Sequence, residues 1–251
     1  MSASFLNREK PLLTVMLQCD TPELAVPRIR GALDGGADAF GVQAEWLLPE
    51  FQTPDSYRTL FAAMKGKPCY TTYYRGGHNV GKPDDELADG MLTLADCGAT
   101  LVDVMGDLFC RHPEELTDDA EATAKQTELI DRLHARGAEV LMSSHLYKFA
   151  PAERVLEIAL EQKRRGADII KIVTGADTME QQIENLRTTD LLKRELGAPF
   201  LFLSVGECRL HRRLGITLGC CMSLCVYEHD ARSTPEQPLL TTMQTLQTID
   251  F

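Results

Sequence analysis

The chain has no uninterrupted apolar stretch approaching the roughly 20 residues of a transmembrane helix, and Met1 to Lys10 lacks the apolar segment of a signal peptide. The expectation is a cytoplasmic protein. Positive charge is also scarce: 26 Lys and Arg stand against 37 Asp and Glu, a net of −11, with no basic stripe. Such a chain is a poor partner for nucleic acid or an anionic membrane, although a local cluster can still hold a small anion. None of the eight cysteines forms a Cys-x-x-Cys pair. Cys220, Cys221 and Cys225 lie across a predicted strand, so core thiols are expected rather than zinc or a structural disulfide. No glycine-rich phosphate fingerprint follows the first apolar run, which argues against a dinucleotide-binding sheet. What is present is an ordinary globular composition, 44% hydrophobic and 25% charged over 251 residues. It can bury a large core as one domain, residues 1–251, with no evident linker.

A repeat organises the chain. A glycine followed by a short apolar run recurs at Gly36, Gly66, Gly98, Gly137, Gly166 and Gly197, at intervals of 30, 32, 39, 29 and 31 residues. Five of these open a Gly-Ala pair after a polar, helix-like stretch, so each unit reads helix, then strand. The runs Leu12 to Leu17 and Met222 to Tyr227 bring the strands to eight, which is the arithmetic of an α/β protein with a (β/α)8 TIM barrel. An open doubly wound sheet and a solenoid compete with this reading. The first lacks its phosphate fingerprint, and the second lacks a consensus of core positions. Locally, Thr178 and Gln181 have the form of a capping box before Met179, Ile183 and Leu186 at helical spacing. Glu153 to Arg165 sets Val155, Leu156, Ala159 and Leu160 toward one side. Pro27 should kink the first helix or delay its start.

Against this frame Lys171 stands out, a cation midway through the apolar run Ile169-Ile170-Lys171-Ile172-Val173. An amine held in low dielectric loses part of its preference for the charged form and can attack a carbonyl carbon at neutral pH. The alternative is a lysine whose stem lines the core while its head reaches water or a carboxylate. In a barrel, functional side chains sit at the C-terminal ends of the strands. That rule selects Cys19, Asp20, Gln43, Glu45, Tyr73, Tyr74, Arg75, Asp103, Ser144, His145, Lys171, Thr174 and Ser204. Asp103 on the fourth strand, His145 at the end of the fifth and Lys171 in the sixth form a coherent catalytic group. The histidine can move protons beside an iminium while a carboxylate orients the imidazole. A structural ion pair between Lys171 and Asp103 is the competing account. His112, His134 and His211 read as solvated, while His78 and His229 fall in loops on the active face.

These residues resemble the type I 3-dehydroquinate dehydratases of the shikimate pathway, over nearly the whole chain and most sharply from Val140 to Gln237. Val140-Leu141-Met142-Ser143-Ser144-His145 looks like that family's histidine strand, and Gly166-Ala167-Asp168-Ile169-Ile170-Lys171-Ile172 like its Schiff-base strand. Arg212 with Gly215 and Gly219 resembles the segment whose arginine binds the substrate carboxylate. Ser233-Thr234-Pro235-Glu236-Gln237 resembles the lid loop, and Asp103 matches the acidic position that supports the histidine. The resemblance implies a lyase of aromatic amino acid biosynthesis that acts on a small anionic keto acid, 3-dehydroquinate. Lys171 would form the imine and His145 would shuttle protons. Arg212 would hold the carboxylate, with Ser233 and Gln237 closing over the ring. It implies no metal and no diffusible cofactor, and a homodimer as a family-based expectation.

The departures fall in the substrate-binding half. Where the family alternates an acid, an arginine and an aspartate on the second strand, this chain has Gly41, Gln43 and Glu45. Its third strand runs into Tyr74, Arg75, Gly76, Gly77 and His78, with Arg75 a candidate substitute for a missing cation. Glu236 replaces the lid glycine, and the N-terminal hairpin is shortened. The changes spare the covalent chemistry and alter recognition. Unpaired charges in such a site reject a ligand by about 2 to 5 kcal/mol. Three functions are therefore in play: authentic dehydratase, divergent Schiff-base lyase or dehydratase on another small keto acid, and non-catalytic binding homologue.

Overall fold

In the computed structural model, which describes residues 3–248, the helix-then-strand units form one barrel. The strands are β1 Leu12–Leu17, β2 Ala39–Gln43, β3 Cys69–Thr72, β4 Leu101–Met105, β5 Glu139–His145, β6 Ile169–Ala176, β7 Phe200–Gly206 and β8 Met222–Cys225. All seven ladders are parallel and run in the order β7-β6-β5-β4-β3-β2-β1-β8. The Cys221 N–H to Phe200 carbonyl bond, at 2.9 Å, bridges the seam between β8 and β7. The helices are α1 Pro22–Asp34, α2 Pro54–Ala63, α3 Asp84–Asp96, α4 Ala120–His134, α5 Ala152–Arg164, α6 Met179–Glu195, α7 Arg209–Leu218 and α8 Leu240–Leu246. The six repeat glycines all adopt positive φ, between 60° and 106°, the helix-terminating geometry read from their spacing. Among the described residues no helix is long and apolar enough to cross a membrane.

Register decides what the barrel encloses. Ser143 pairs with Lys171 and Met105 with Ser143, so these three share a level. Asp103 pairs with Leu141 and Leu141 with Ile169, two residues deeper. Packed around and beneath these levels is an apolar plug of Ala39, Tyr70, Leu101, Leu141, Ile169, Leu201 and Met222. Phe5 joins it at the floor, held by its N–H to Glu139 Oε2 at 2.8 Å. One aromatic ring therefore closes this end of the barrel. Cys220 and Cys225 are buried, their thiols donating to the Phe202 and Thr14 carbonyls.

Three local expectations are corrected. Thr178 does cap α6, accepting from the Gln181 N–H at 3.2 Å, but Met179 and Ile183 face outward at 60% and 57% exposure. The face turned inward is polar: Gln182, Asn185, Thr188 and Thr189 with Leu192. Periodicity located the helix and mistook its buried side, because a polar side chain can be buried wherever the neighbouring helix offers partners. The Gln182 carbonyl accepts the Leu210 and His211 N–H groups at the start of α7. His211 is accordingly fully buried, against Phe202 and the Thr189 hydroxyl, rather than solvated. Burial pushes its imidazole down to about 3, with the neighbouring Arg212 charge acting in the same direction. Of the two effects expected of Pro27, a kink or a delayed start, the delay is not seen: α1 begins at Pro22 under a Thr21 cap and runs through Pro27. The α5 helix buries Val155, Ile158, Ala159 and Gln162, leaving Leu160 exposed.

Candidate active site

Lys171 is 4% exposed and stands at the floor of a cleft of about 310 Å³ at the C-terminal mouth of the barrel. Its Nζ meets the Tyr70 hydroxyl at 2.8 Å, the Tyr74 hydroxyl at 2.6 Å and Asp103 Oδ2 at 3.1 Å. Asp103 is fully buried and also accepts from Tyr70, Tyr74 and Ser143. Burial, reinforced by the Asp103 charge, raises both phenols well above the usual tyrosine range. They remain hydrogen donors at neutral pH.

His145 occupies the top of β5, in a slot of aromatic rings. Tyr74 meets it edge-on at 5.3 Å between ring centroids, and Tyr147 stacks on it at 5.6 Å with 20° between planes. Its Nδ1 lies 2.6 Å from Glu115 Oε2, which also accepts the His145 N–H at 2.8 Å. A carboxylate accepts only, so Nδ1 carries the hydrogen and Nε2 is left for proton transfer. Glu115 and Tyr147 both hold positive φ, 46° and 52°, a strain of about 1 kcal/mol or more each that the imidazole clamp maintains.

The expected carboxylate partner of His145, Asp103, is not the one observed. Met105 aligns with Ser143, so Asp103 lies four residues below the level of His145, about 13 Å at 3.3 Å per residue. It reaches Lys171 instead. Glu115, which does orient the imidazole, carries no periodic signal because it comes from an irregular loop 30 residues before it. Tyr70 was also missed, although its even spacing with Thr72 on β3 and Tyr74 just beyond it was available as a signal.

On the substrate side the residues fall into two groups. Gln43, Glu45, Arg212 and Gln237 line the Lys171 cleft. Gln18 donates to Gln43, which in turn donates to Glu45 at 3.3 Å; Glu45 also accepts from the Thr72 hydroxyl at 2.8 Å. Burial pushes the Glu45 carboxyl up. Arg212 presents Nε and Nη1 shielded from solvent with no hydrogen-bond partner among the described residues. Burial disfavours its charge, so an anion in the cleft would restore what burial removed. Arg75 and Ser233 do not line this cleft. Arg75 is forked between Asp84 and Asp107 at 2.8 and 2.6 Å, tying the loop after β3 to the loop after β4. Ser233 is spent on Asp230, whose N–H it accepts at 2.6 Å and whose carboxylate it meets at 3.0 Å. Thr234 and Gln237 supply the lid edge instead, and Glu236 is anchored by the Gly206 N–H at 3.2 Å.

Two glycines bear on how the second strand and the segment after it are packed. A Cβ on Gly41 would sit 2.2 Å from Met16 Sδ and 3.2 Å from Tyr70 Cδ1, so the space of a second-strand acid is filled by Met16 and the Tyr70 ring. Gly77, at φ 53°, would place a Cβ 2.4 Å from the Glu45 carbonyl, so this turn requires glycine to pack on the Glu45 segment.

The fold and site define a lysine-centred (β/α)8 barrel built for carbonyl chemistry. The sequence matches type I 3-dehydroquinase over residues 13–251, and the chain belongs to that family of Schiff-base-forming lyases. Solved structures agree in fold. The 3-dehydroquinate dehydratase of Geobacillus kaustophilus superposes with a TM-score of 0.79 at 16% identity, covering 96% of this chain and 91% of that one. The type I enzyme of Clostridium difficile, solved with covalently modified comenic acid, gives 0.79 at 14%, covering 96% and 92%. The Enterococcus faecalis enzyme gives 0.77 at 15%, covering 98% of each. No curated protein sequence matches the chain.

Proposed function

We propose that the protein dehydrates 3-dehydroquinate to 3-dehydroshikimate through an imine on Lys171. The observation that carries this reading is a buried lysine at the floor of a cleft that also holds Arg212, whose Nε and Nη1 have no hydrogen-bond partner among the described residues. A ketone and a carboxylate on one small ring answer those two groups. Lys171 Nζ attacks the ketone and loss of water forms the iminium, which acidifies the neighbouring carbon. His145 Nε2 takes that proton while Glu115 holds Nδ1–H and stabilises the imidazolium. The resulting enamine expels the hydroxyl as water, protonated by the same imidazole, and hydrolysis of the imine frees the product and the lysine. Arg212 would grip the carboxylate through its planar fork, and Gln237 with Thr234 would cover the ring.

One observation favours a second reading, a related lyase on another small keto acid. Gln18, Gln43, Glu45 and Thr72 are bonded to one another, and Arg75 is engaged elsewhere. Borohydride reduction with 3-dehydroquinate, followed by peptide mass spectrometry, decides between them. A reduced adduct on Lys171 with turnover supports the dehydratase. No adduct with this substrate, but one with another keto acid, selects the second reading. A folded protein that traps no keto acid sinks both and leaves the binding homologue.

A further inference from the structure

The chemistry above requires Lys171 to reach the carbonyl carbon as a neutral amine. Its three hydrogens are directed at Tyr70, Tyr74 and Asp103, and an ammonium has no lone pair for a carbonyl carbon. Each phenol that accepts from Nζ also donates to Asp103 Oδ2. Both hydroxyls are therefore single-step wires between the cation and the carboxylate. The contact from Nζ to Tyr74, at 2.6 Å, is closer than the direct one to Asp103, at 3.1 Å.

The two phenols differ in what else they touch. Tyr70 is fully buried on β3, its ring lying over Gly41. Tyr74 lies beyond the strand end, partly exposed, with its ring edge against His145. The other ionisable groups facing this volume are Glu45 after β2, His145 on β5 with Glu115 behind it, Tyr147, and Arg212 on α7.

We propose that Tyr74 is a catalytic residue of imine formation, relaying a proton from Lys171 to Asp103 and back to the departing hydroxyl, with Tyr70 as a positioning residue. In the first step a proton leaves Nζ for the Tyr74 oxygen while the phenol's own proton passes to Asp103. The products are a neutral amine, an intact phenol and a carboxylic acid. Nitrogen then bonds to the ketone carbon as the C=O double bond opens, and one proton moves from nitrogen to that oxygen. Asp103 returns its proton through Tyr74 to the carbinolamine hydroxyl, the C–O bond breaks, and water leaves. The iminium keeps one hydrogen, and Asp103 is a carboxylate again.

This inference rests on the Schiff-base reading, and two probes separate their failures. Formaldehyde with cyanoborohydride methylates a reactive amine without requiring the natural substrate, whereas 3-dehydroquinate with borohydride tests that substrate. Peptide mass spectrometry follows both in ordinary and heavy water. Tyr74→Phe keeps the ring on His145 and removes only the hydroxyl. It is expected to slow methylation and imine formation at Lys171 by on the order of 10²-fold relative to the solvent-facing Lys125. It should also abolish most of the solvent deuterium effect seen in wild type. Tyr70→Phe should slow both reactions less and preserve that effect. Wild-type methylation with no deuterium effect overturns the relay without any variant. So does a Tyr74→Phe protein that reacts at the wild-type rate, or one that slows with its deuterium effect intact, the signature of a purely structural role. Wild type that is methylated at Lys171 but gives no adduct with 3-dehydroquinate rejects the substrate reading alone, and the formaldehyde rates then decide the relay.

Discussion

The covalent centre and the recognition rim of this site are built by different means. Lys171, Asp103 and Tyr70 project from consecutive levels of three strands, are essentially fully buried, and are bonded to one another. Around the rim, the candidates Gln43, Glu45, Arg75, Ser233 and Gln237 sit at strand ends or on loops. There Arg75 and Ser233 are taken up by the loops themselves. Strand register leaves a side chain at the centre little choice of direction, while a loop can turn the same residue type toward substrate or toward a neighbouring carboxylate. The difference teaches what fixes each part of one barrel: packing constrains the centre, and local hydrogen bonds constrain the rim.

The sharpest break of this contrast is Lys171→Met, which should abolish adduct and turnover. It should also cost about 3 to 5 kcal/mol in denaturant unfolding, because Asp103 is left buried without its cation. The double variant with Asp103→Asn should recover most of that loss while remaining inactive; a double variant no more stable than the single would mean that Asp103 is not the strained partner. Next in size, His145→Ala should lower kcat by roughly 10²- to 10⁴-fold. Glu115→Ala should lower it by about 10- to 100-fold, the worth of a charge-assisted hydrogen bond. Steady-state kinetics that left the Glu115 variant unimpaired would remove it from the site.

The rim itself is tested by two arginines. Arg212→Ala should raise KM by about 10- to 100-fold with little loss of stability, since the guanidinium has no protein partner at Nε or Nη1. Arg75→Ala should do the reverse, leaving KM within about twofold while destabilising the fold by about 3 kcal/mol through the buried Asp107. Equal effects of the two on KM would erase the distinction.

At neutral pH the smallest effect lies behind the barrel wall, at His211. Its imidazole is neutral in the fold down to about pH 3 but takes a proton in the unfolded chain below about 6.5. Unfolding therefore binds a proton in that window, and stability falls by up to about 1.4 kcal/mol per pH unit as the pH drops through it. His211→Gln should flatten that slope in urea melts between pH 7 and 4. An unchanged slope would place the acid sensitivity elsewhere.

The sequence by itself determined the barrel, since glycines at helix ends and apolar runs at a thirty-residue period leave few other ways to bury eight strands. It also determined the chemistry-bearing strand residues, because a lysine and an aspartate inside apolar runs must find each other or some equivalent partner. Only the tertiary structure decided which carboxylate serves which group. Asp103 was within reach of two partners on paper, and register places it four residues too deep for His145. Glu115, Arg75 and Ser233 lie on loops, where no periodicity specifies direction: contacts 30 or so residues apart set the first two, and a turn within its own loop sets Ser233. The buried side of α6 belongs with them: its polar residues could be enclosed because Gln182 caps α7 and Asn185 meets Ser204. Those hydrogen bonds exist only once the helices are packed.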